Sequence, residues 1–152
     1  YLLCFLEFFM LKYQNYWSKL VLENKKFISA HVAIFKDGKV LIVRRSATDE
    51  WMPGHYGLPG GKLDGDESPK KAVERECKEE VGLIINPENL VFLPKVSADH
   101  QHGFYYTTEF SGEPKLDFEH DDFKWVNPKD LSKFKTVPDL IDIINDALEN
   151  MR

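Results

Sequence analysis

Between Gly61 and Leu83 the chain reads GKLDGDESPKKAVERECKEEVGL, and its glutamates pose the first chemical question. Glu76, Glu79 and Glu80 stand at i, i+3 and i+4, so on a helix they project from one side. Val73, Cys77 and Val81 form the neighbouring apolar stripe, which sets the carboxylates along the edge of the core. Glu76 and Glu80 are like charges at i, i+4, costing about 0.2–0.5 kcal/mol when exposed and more when partly buried. A helix built only for stability would not choose that pair. A hard divalent cation removes the conflict, because carboxylate oxygens suit Mg²⁺ or Mn²⁺. The competing explanation is a solvated acidic face balanced by Lys70, Lys71, Arg75 and Lys78.

The flanking sequence must position this helix. Ser68 is an N-cap with Pro69 at the first helical position, and Gly82 ends the helix after Val81. Ahead of it, Ala47 to Gly61 reads as a loop rich in Gly and Pro. Phe27 to Phe35 and Val40 to Val43 are strands joined by the turn Lys36-Asp37-Gly38-Lys39, a β-hairpin. Leu90 to Val96, Phe104 to Phe110 and Phe123 to Val126 read as further strands, with Phe104, Tyr106, Thr108 and Phe110 on one face. Leu140, Ile143, Ile144, Ala147, Leu148 and Met151 fall at helical spacing as one apolar stripe. The expected fold is α/β, an α/β/α sandwich with a mixed β-sheet between helices. Its domain is expected over residues 27–152, after an N-terminal segment 1–26.

The 61–83 stretch resembles the signature of the Nudix hydrolases. That signature is Gly, five residues, Glu, seven residues, Arg-Glu, an apolar residue, any residue, Glu-Glu, any residue, Gly and an apolar residue. Gly61, Glu67, Arg75, Glu76, Cys77, Glu79, Glu80, Gly82 and Leu83 stand at those spacings. Seven of the positions demand an identity, and at roughly 7% usage per residue type a chance match is on the order of 10⁻⁸ per start position. Cys77 fills an apolar position as a small hydrophobe. The resemblance implies a Nudix-like fold and Mg²⁺-dependent cleavage of a diphosphate link in a small nucleotide, with Mn²⁺ as a substitute. It implies Glu76, Glu79 and Glu80 as metal ligands, helped by the carbonyl of Gly60. Arg75 would hold the glutamates and Glu67 would support the loop before the helix. The general base is left open among Glu79, Glu80 and a carboxylate from a later loop.

Leu41-Ile42-Val43-Arg44-Arg45-Ser46 and Leu58-Pro59-Gly60-Gly61 resemble the MutT-type branch, which converts nucleoside triphosphates to monophosphate and pyrophosphate. Arg44, Arg45 and Lys62 are then substrate-binding candidates. Glu119, six residues before Trp125, corresponds to a further metal ligand of that branch, against the alternative of a surface charge in the acidic loop Asp117 to Asp122. Tyr56, Trp51, Phe35 and Asp139 are candidates for recognising the nucleobase, although aromatics so placed are more often core. The Asn that reads a purine edge in that branch has no counterpart near Asp139. The resemblance leaves open an ADP-ribose, nucleotide-sugar or dinucleoside polyphosphate substrate. A non-catalytic nucleotide-sensing domain is disfavoured because every signature glutamate is kept. His100 and His102 beside Asp99 could ligate zinc, but read better as a polar loop over the substrate entrance.

The bulk numbers agree with a single domain of 152 residues. A net charge of -5 gives no general attraction to nucleic-acid polymers or anionic membranes. Two cysteines, Cys4 and Cys77, make neither a disulfide framework nor a zinc set, consistent with a reducing, cytoplasmic setting. Tyr1 to Leu11 is apolar except for Glu7, too short to span a bilayer and without the flanks of a signal peptide. Tyr1 to Phe9 reads either as an added segment or as a stretch that packs on the domain or on a partner subunit. The oligomeric state is open, with a homodimer as one option.

Overall fold

The hairpin forms because Asp37 and Gly38 both take positive φ, 51° and 74°, the geometry that matches the twist of two antiparallel strands. They join β1 (Ser29–Lys36) to β2 (Lys39–Arg45). The structure, a computed structural model, describes residues 26–98 and 101–152. The expectations for segment 1–25 and for Asp99 and His100 lie outside the described residues.

β1 and β2 stay paired only from Phe35↔Val40 to the turn, and then part. β1 pairs in parallel with β6 (His102–Thr107), from Ser29↔His102 to Ile34↔Thr107. Its other edge takes β4 (Gly60–Lys62), antiparallel, from Ser29↔Lys62 to His31↔Gly60. β2 pairs with β7 (His120–Val126) and with β3 (Tyr56–Gly57), both antiparallel, and its register with β7 shifts between Arg44 and Arg45. β5 (Val91–Phe92) closes the far edge against β6. The result is a mixed, seven-stranded sheet.

Both faces of the sheet are apolar because both are covered. On one face Ala30, Val32, Ile34, Leu41 and Val43 pack against Val73, Cys77 and Val81 of helix α1 (Pro69–Val81). On the other, Ala33, Phe35 and Ile42 meet Leu140, Ile143, Ile144 and Ala147 of the last helix, Leu140–Asn150. This is the expected α/β/α layering. Among the described residues no helix is long and apolar enough to cross a membrane.

Several expected boundaries move, each for a local reason. The strand expected over Leu90 to Val96 is only β5, because Pro94 opens a short helix, α2 (Pro94–Ala98); the last helix is therefore α3. β6 ends at Thr107, not Phe110. The Thr107 hydroxyl donates to the Glu109 carbonyl and accepts from the Glu109 N–H, both at 3.1 Å, and turns the chain. Phe104 and Tyr106 therefore face α3, while Phe110 crosses to the α1 side and stacks on Trp125 with ring centres 5.7 Å apart. The Gly- and Pro-rich loop contains β3 and β4, and β7 begins at His120, ahead of the expected Phe123. Met151 lies beyond the end of α3 and is exposed.

At the head of α1, Ser68 accepts a hydrogen bond from the Lys71 N–H at 3.3 Å, and Gly82 ends the helix at φ 68°. Removing the cap should cost about 1 kcal/mol. Ser68→Ala is expected to lower the urea midpoint at an unchanged slope, with Gly or Asp at this position restoring most of the loss.

Candidate active site

Helix α1 turns Val73, Cys77 and Val81 fully into the core. Glu80, on the margin of that stripe, is carried in with them and is only 4% exposed. Its Oε2 accepts a hydrogen bond from the Gly60 N–H at 3.0 Å. Gly60 has φ 144°, and a Cβ there would lie 2.2 Å from the Ala30 carbonyl oxygen, so only glycine fits. A Cβ on Gly61 would lie 2.4 Å from Glu76 Oε1. The glycine loop and the helix glutamates are thus in direct contact; Gly60 is required by the backbone, whereas a side chain at position 61 would displace the Glu76 carboxylate.

Arg75 ties the loop to the helix. Its guanidinium donates to both Glu67 oxygens at 2.9 Å each, to Glu76 Oε1 at 2.8 Å and to the Lys62 carbonyl at 2.9 Å. Glu79 Oε2 is 3.4 Å away. Glu67 in turn accepts from the Asp64 N–H at 3.1 Å. The Glu67 carboxyl is held below its ordinary pKa by its bonds to Arg75, and the Arg75 guanidinium is raised above its own by the same pair.

In Glu80, Glu76 and Glu119 burial outweighs the favourable partners, the Gly60 N–H, Arg75 and Arg45 respectively. Burial pushes the Glu80 carboxyl up to about 9, with further upward pushes from Glu76, Glu119 and Asp117. Burial also raises Glu76, with Glu79 and Glu119 adding to the shift against the opposing pull of Arg75. Glu119 is raised by desolvation, then by Asp117 and Asp49. Glu119 reaches this cluster because the chain before it is pinned to the end of α1. Lys115 N donates to the Val81 carbonyl at 2.8 Å, and Asp117 N to the Glu80 carbonyl at 3.1 Å. Ser46 N then donates to the Glu119 carbonyl at 2.9 Å, which joins this loop to the end of β2. Among the described residues no three metal-ligating side chains are gathered at ligand spacing. What they form is a set of oxygen donors within Coulombic reach of one another, one of them buried. That chemistry fits a hard cation, which would remove the repulsion raising Glu76, Glu80 and Glu119.

The two arginines of β2 part company. Arg44 Nε pairs with Asp121 at 2.6 Å, and its guanidinium lies 5.9 Å from the Tyr56 ring on the α3 side. Arg45 stands two residues after Val43, whose side chain faces α1, and it opposes part of the upward push on the Glu119 carboxyl. Asp49, which the sequence reading missed, holds Arg45 Nη2 at 2.7 Å. No helix or strand period flags an i, i+4 pair inside a loop, so only the fold exposes it.

The nucleobase candidates also separate. Tyr56 is 6% exposed, packs edge-on against Phe134, and donates its hydroxyl to Asp122, so its ring is not open to a ligand. Phe35 is core at 4%. Asp139 stands exposed at φ 66° at the head of α3, on the opposite face of the sheet from α1. The Lys62 side chain is exposed at the end of β4. Trp51 is 54% exposed. His102 belongs to a strand rather than an entrance loop, and its Nδ1 lies 2.5 Å from Ser29 Oγ.

A glycine loop locked against an acidic helix, with an arginine on the facing strand, can draw an anionic phosphate and a cation together. The comparisons agree with that capacity. The family model described as "NUDIX domain" matches residues 25–147. The chain is similar to an 8-oxo-dGTP diphosphatase of Proteus vulgaris, 31% identical over 94 residues covering 60% of this chain and 83% of the relative. It is similar to a CTP pyrophosphohydrolase of Escherichia coli, 28% identical over 118 residues covering 74% and 85%. A crystal structure of a MutT NUDIX hydrolase from Burkholderia pseudomallei superimposes with a TM-score of 0.65 at 27% identity, covering 78% of this chain and 95% of that one.

The Glu80 shift has a signed consequence for stability. Its folded-state pKa is about 9 against an ordinary 4.5, so between those values the folded state holds a proton that the unfolded state has lost. Stability of the metal-free protein should therefore fall as pH rises from about 4.5 to about 9. Glu80→Gln should remove that slope. In chelator at pH 8 the variant should be more stable than wild type by at least about 1 kcal/mol, roughly one pKa unit's worth, with the gain vanishing near pH 4. Parallel urea curves for the two proteins across this range would contradict it.

Proposed function

The chain belongs to the NUDIX family, and from that premise we propose that it hydrolyses nucleoside triphosphates to the monophosphate and pyrophosphate with Mg²⁺ held by the acidic face of α1. The observation that carries this reading is the buried Glu80 locked to the Gly60 N–H, with Glu76 and Glu119 in Coulombic reach. A buried carboxylate with like-charged neighbours is costly in a helix that serves only packing. Two relatives that differ in nucleobase, an 8-oxo-dGTP diphosphatase and a CTP pyrophosphohydrolase, share the triphosphate. That supports the phosphate chain as the element recognised in common.

Glu76, Glu79, Glu80, Glu119 and the Gly60 carbonyl would hold the cation. When bound, it supplies charge neutralisation between carboxylates and phosphates, polarises phosphorus and makes water a better nucleophile. The residues of the chain do the rest. Arg45, on the α1 side, binds a phosphate oxygen through Nη1, its Nε and Nη2 being held by the Trp51 carbonyl and Asp49, while Arg44 lies on the α3 side beside Tyr56 and Asp121. Arg75 fixes the Glu76 and Glu79 carboxylates, and Glu67 fixes Arg75. Glu79 is the most open of the three helix glutamates, its side chain 57% exposed, and its 3.4 Å contact with Arg75 is longer than the 2.8 Å contact of Glu76. It takes a proton from the attacking water as the new P–O bond forms and the bridging P–O bond breaks. The leaving phosphate takes up the charge.

A panel of nucleoside triphosphates, ADP-ribose, nucleotide sugars and dinucleoside polyphosphates with Mg²⁺, resolved by chromatography, tests the substrate. Monophosphate and pyrophosphate from the triphosphates are expected. Turnover confined to ADP-ribose, or unaffected by excess chelator, would overturn the reading. Glu80→Gln should lower kcat by about 10²-fold or more, beyond the 10–100-fold typical of residues that only support a metal ligand. Glu119→Gln should raise the Mg²⁺ concentration for half-maximal rate, with partial rescue at high metal, whereas Glu67→Gln should show no such rescue. Superimposable metal curves for wild type and Glu119→Gln would remove Glu119 from the site.

A further inference from the structure

Trp51 is exposed, yet its backbone is held on both sides by side chains. Asp49 Oδ1 accepts from its N–H at 2.9 Å, and its carbonyl accepts from Arg45 Nε at 2.7 Å. The same Asp49 holds Arg45 Nη2 with its other oxygen at 2.7 Å. The turn that follows is tight: Met52 and Gly54 take φ 53° and 73°, Gly54 N donates to the Arg45 carbonyl at 2.9 Å, and His55 N donates to the Met52 carbonyl at 3.2 Å. The guanidinium of Arg45 lies 4.9 Å from the centre of the indole ring. Loop backbone, carboxylate and arginine thus cooperate to present a large apolar ring to water, an arrangement that packing alone does not reward.

The location suggests the ligand. Arg45 pairs across the sheet with His120, and the next residue, Ser46, donates its N–H to the Glu119 carbonyl at 2.9 Å, so the arginine beneath the indole stands beside the loop that carries Glu119 to the acidic cleft. A ligand whose phosphates sit between Arg45 and the α1 carboxylates carries its base one sugar away, at the rim. We propose that Trp51 is a stacking platform for the nucleobase of the substrate and that it selects for the presence of a base rather than for its identity. A preordered indole loses little side-chain entropy on binding, and every base offers a π-face. The rival explanation is that the indole merely props Arg45. This inference rests on the nucleotide reading above, and the experiment separates the two.

Binding is measured by calorimetry with Ca²⁺ in place of Mg²⁺ to suppress turnover, using CTP, GTP and base-free inorganic tripolyphosphate as probes. Trp51→Ala should weaken CTP and GTP each by about 10-fold or more and leave tripolyphosphate within a factor of about two. Trp51→Phe should keep most of the nucleotide affinity. Equal losses for tripolyphosphate and the nucleotides would make Trp51 a prop for Arg45 and overturn the proposal. So would unchanged affinity for all three probes, or a loss confined to one of the two bases. If wild type itself binds neither nucleotide, the nucleotide reading falls before any Trp51 variant is made.

Discussion

The guanidinium of Arg75 binds both oxygens of Glu67, one oxygen of Glu76 and the Lys62 carbonyl, with Glu79 a little farther off. Its planar fork can reach several acceptors at once, as a lysine point charge could not. The arrangement joins the loop before α1 to the helix itself and sets the Glu76 carboxylate against Gly61. One turn on, Glu80 meets the Gly60 N–H. The loop and helix therefore form a single unit in which acidic groups stay close despite their repulsion. Removing the arginine would leave partly buried carboxylates facing one another, which is the expensive way to break such a network.

The sheet supplies this unit with its partners by coming apart in a controlled place. β1 and β2 separate beyond Phe35 and Val40, and β4 fills the vacated edge of β1, delivering Gly60 and Gly61 to α1. β2 continues between β7 and β3 to Arg45, where its pairing with β7 slips by one residue at the end nearest Glu119. The extra residue, Asp121, lies on β7 and pairs with Arg44, while β2 keeps its alternation, so Arg44 turns to Tyr56 and Asp121 and Arg45 turns to Asp49 and the cleft. A bulge that redirects side chains at the end of a strand is a common way to build a site.

These two constraints divide the labour of recognition. In the proposed reading the phosphate end would meet elements fixed by backbone hydrogen bonds and by Arg75. Side chains on the loop after β2 form the rim, with Trp51 held by Asp49 and Arg45. Chemistry on a rigid core with selectivity on an adjoining loop is how one scaffold comes to accept different ligands.

The sequence by itself determined the helix with its cap and its stop, the hairpin turn, both apolar stripes, the layered fold and the family. Each of these is local: a period, a turn pair or an ordered run of residues that spacing alone expresses. It also singled out the glutamates, Arg75, Glu67 and the glycines. How buried each one is was not legible, because Glu79 and Glu80 are neighbours in the chain yet one is open and the other is 4% exposed. Alternation puts Arg44 and Arg45 on opposite faces, but which of them meets the cleft depends on the face that α1 covers, which only the packing decides. Nor could spacing tell Trp51 from Tyr56 and Phe35, since exposure depends on what packs over a ring. Glu119 had to come home along a loop bonded to the end of α1, and Asp49 had no period to betray it. Those decisions belong to tertiary structure because Coulombic contact and burial depend on distance in space, which the chain sets only once it has folded.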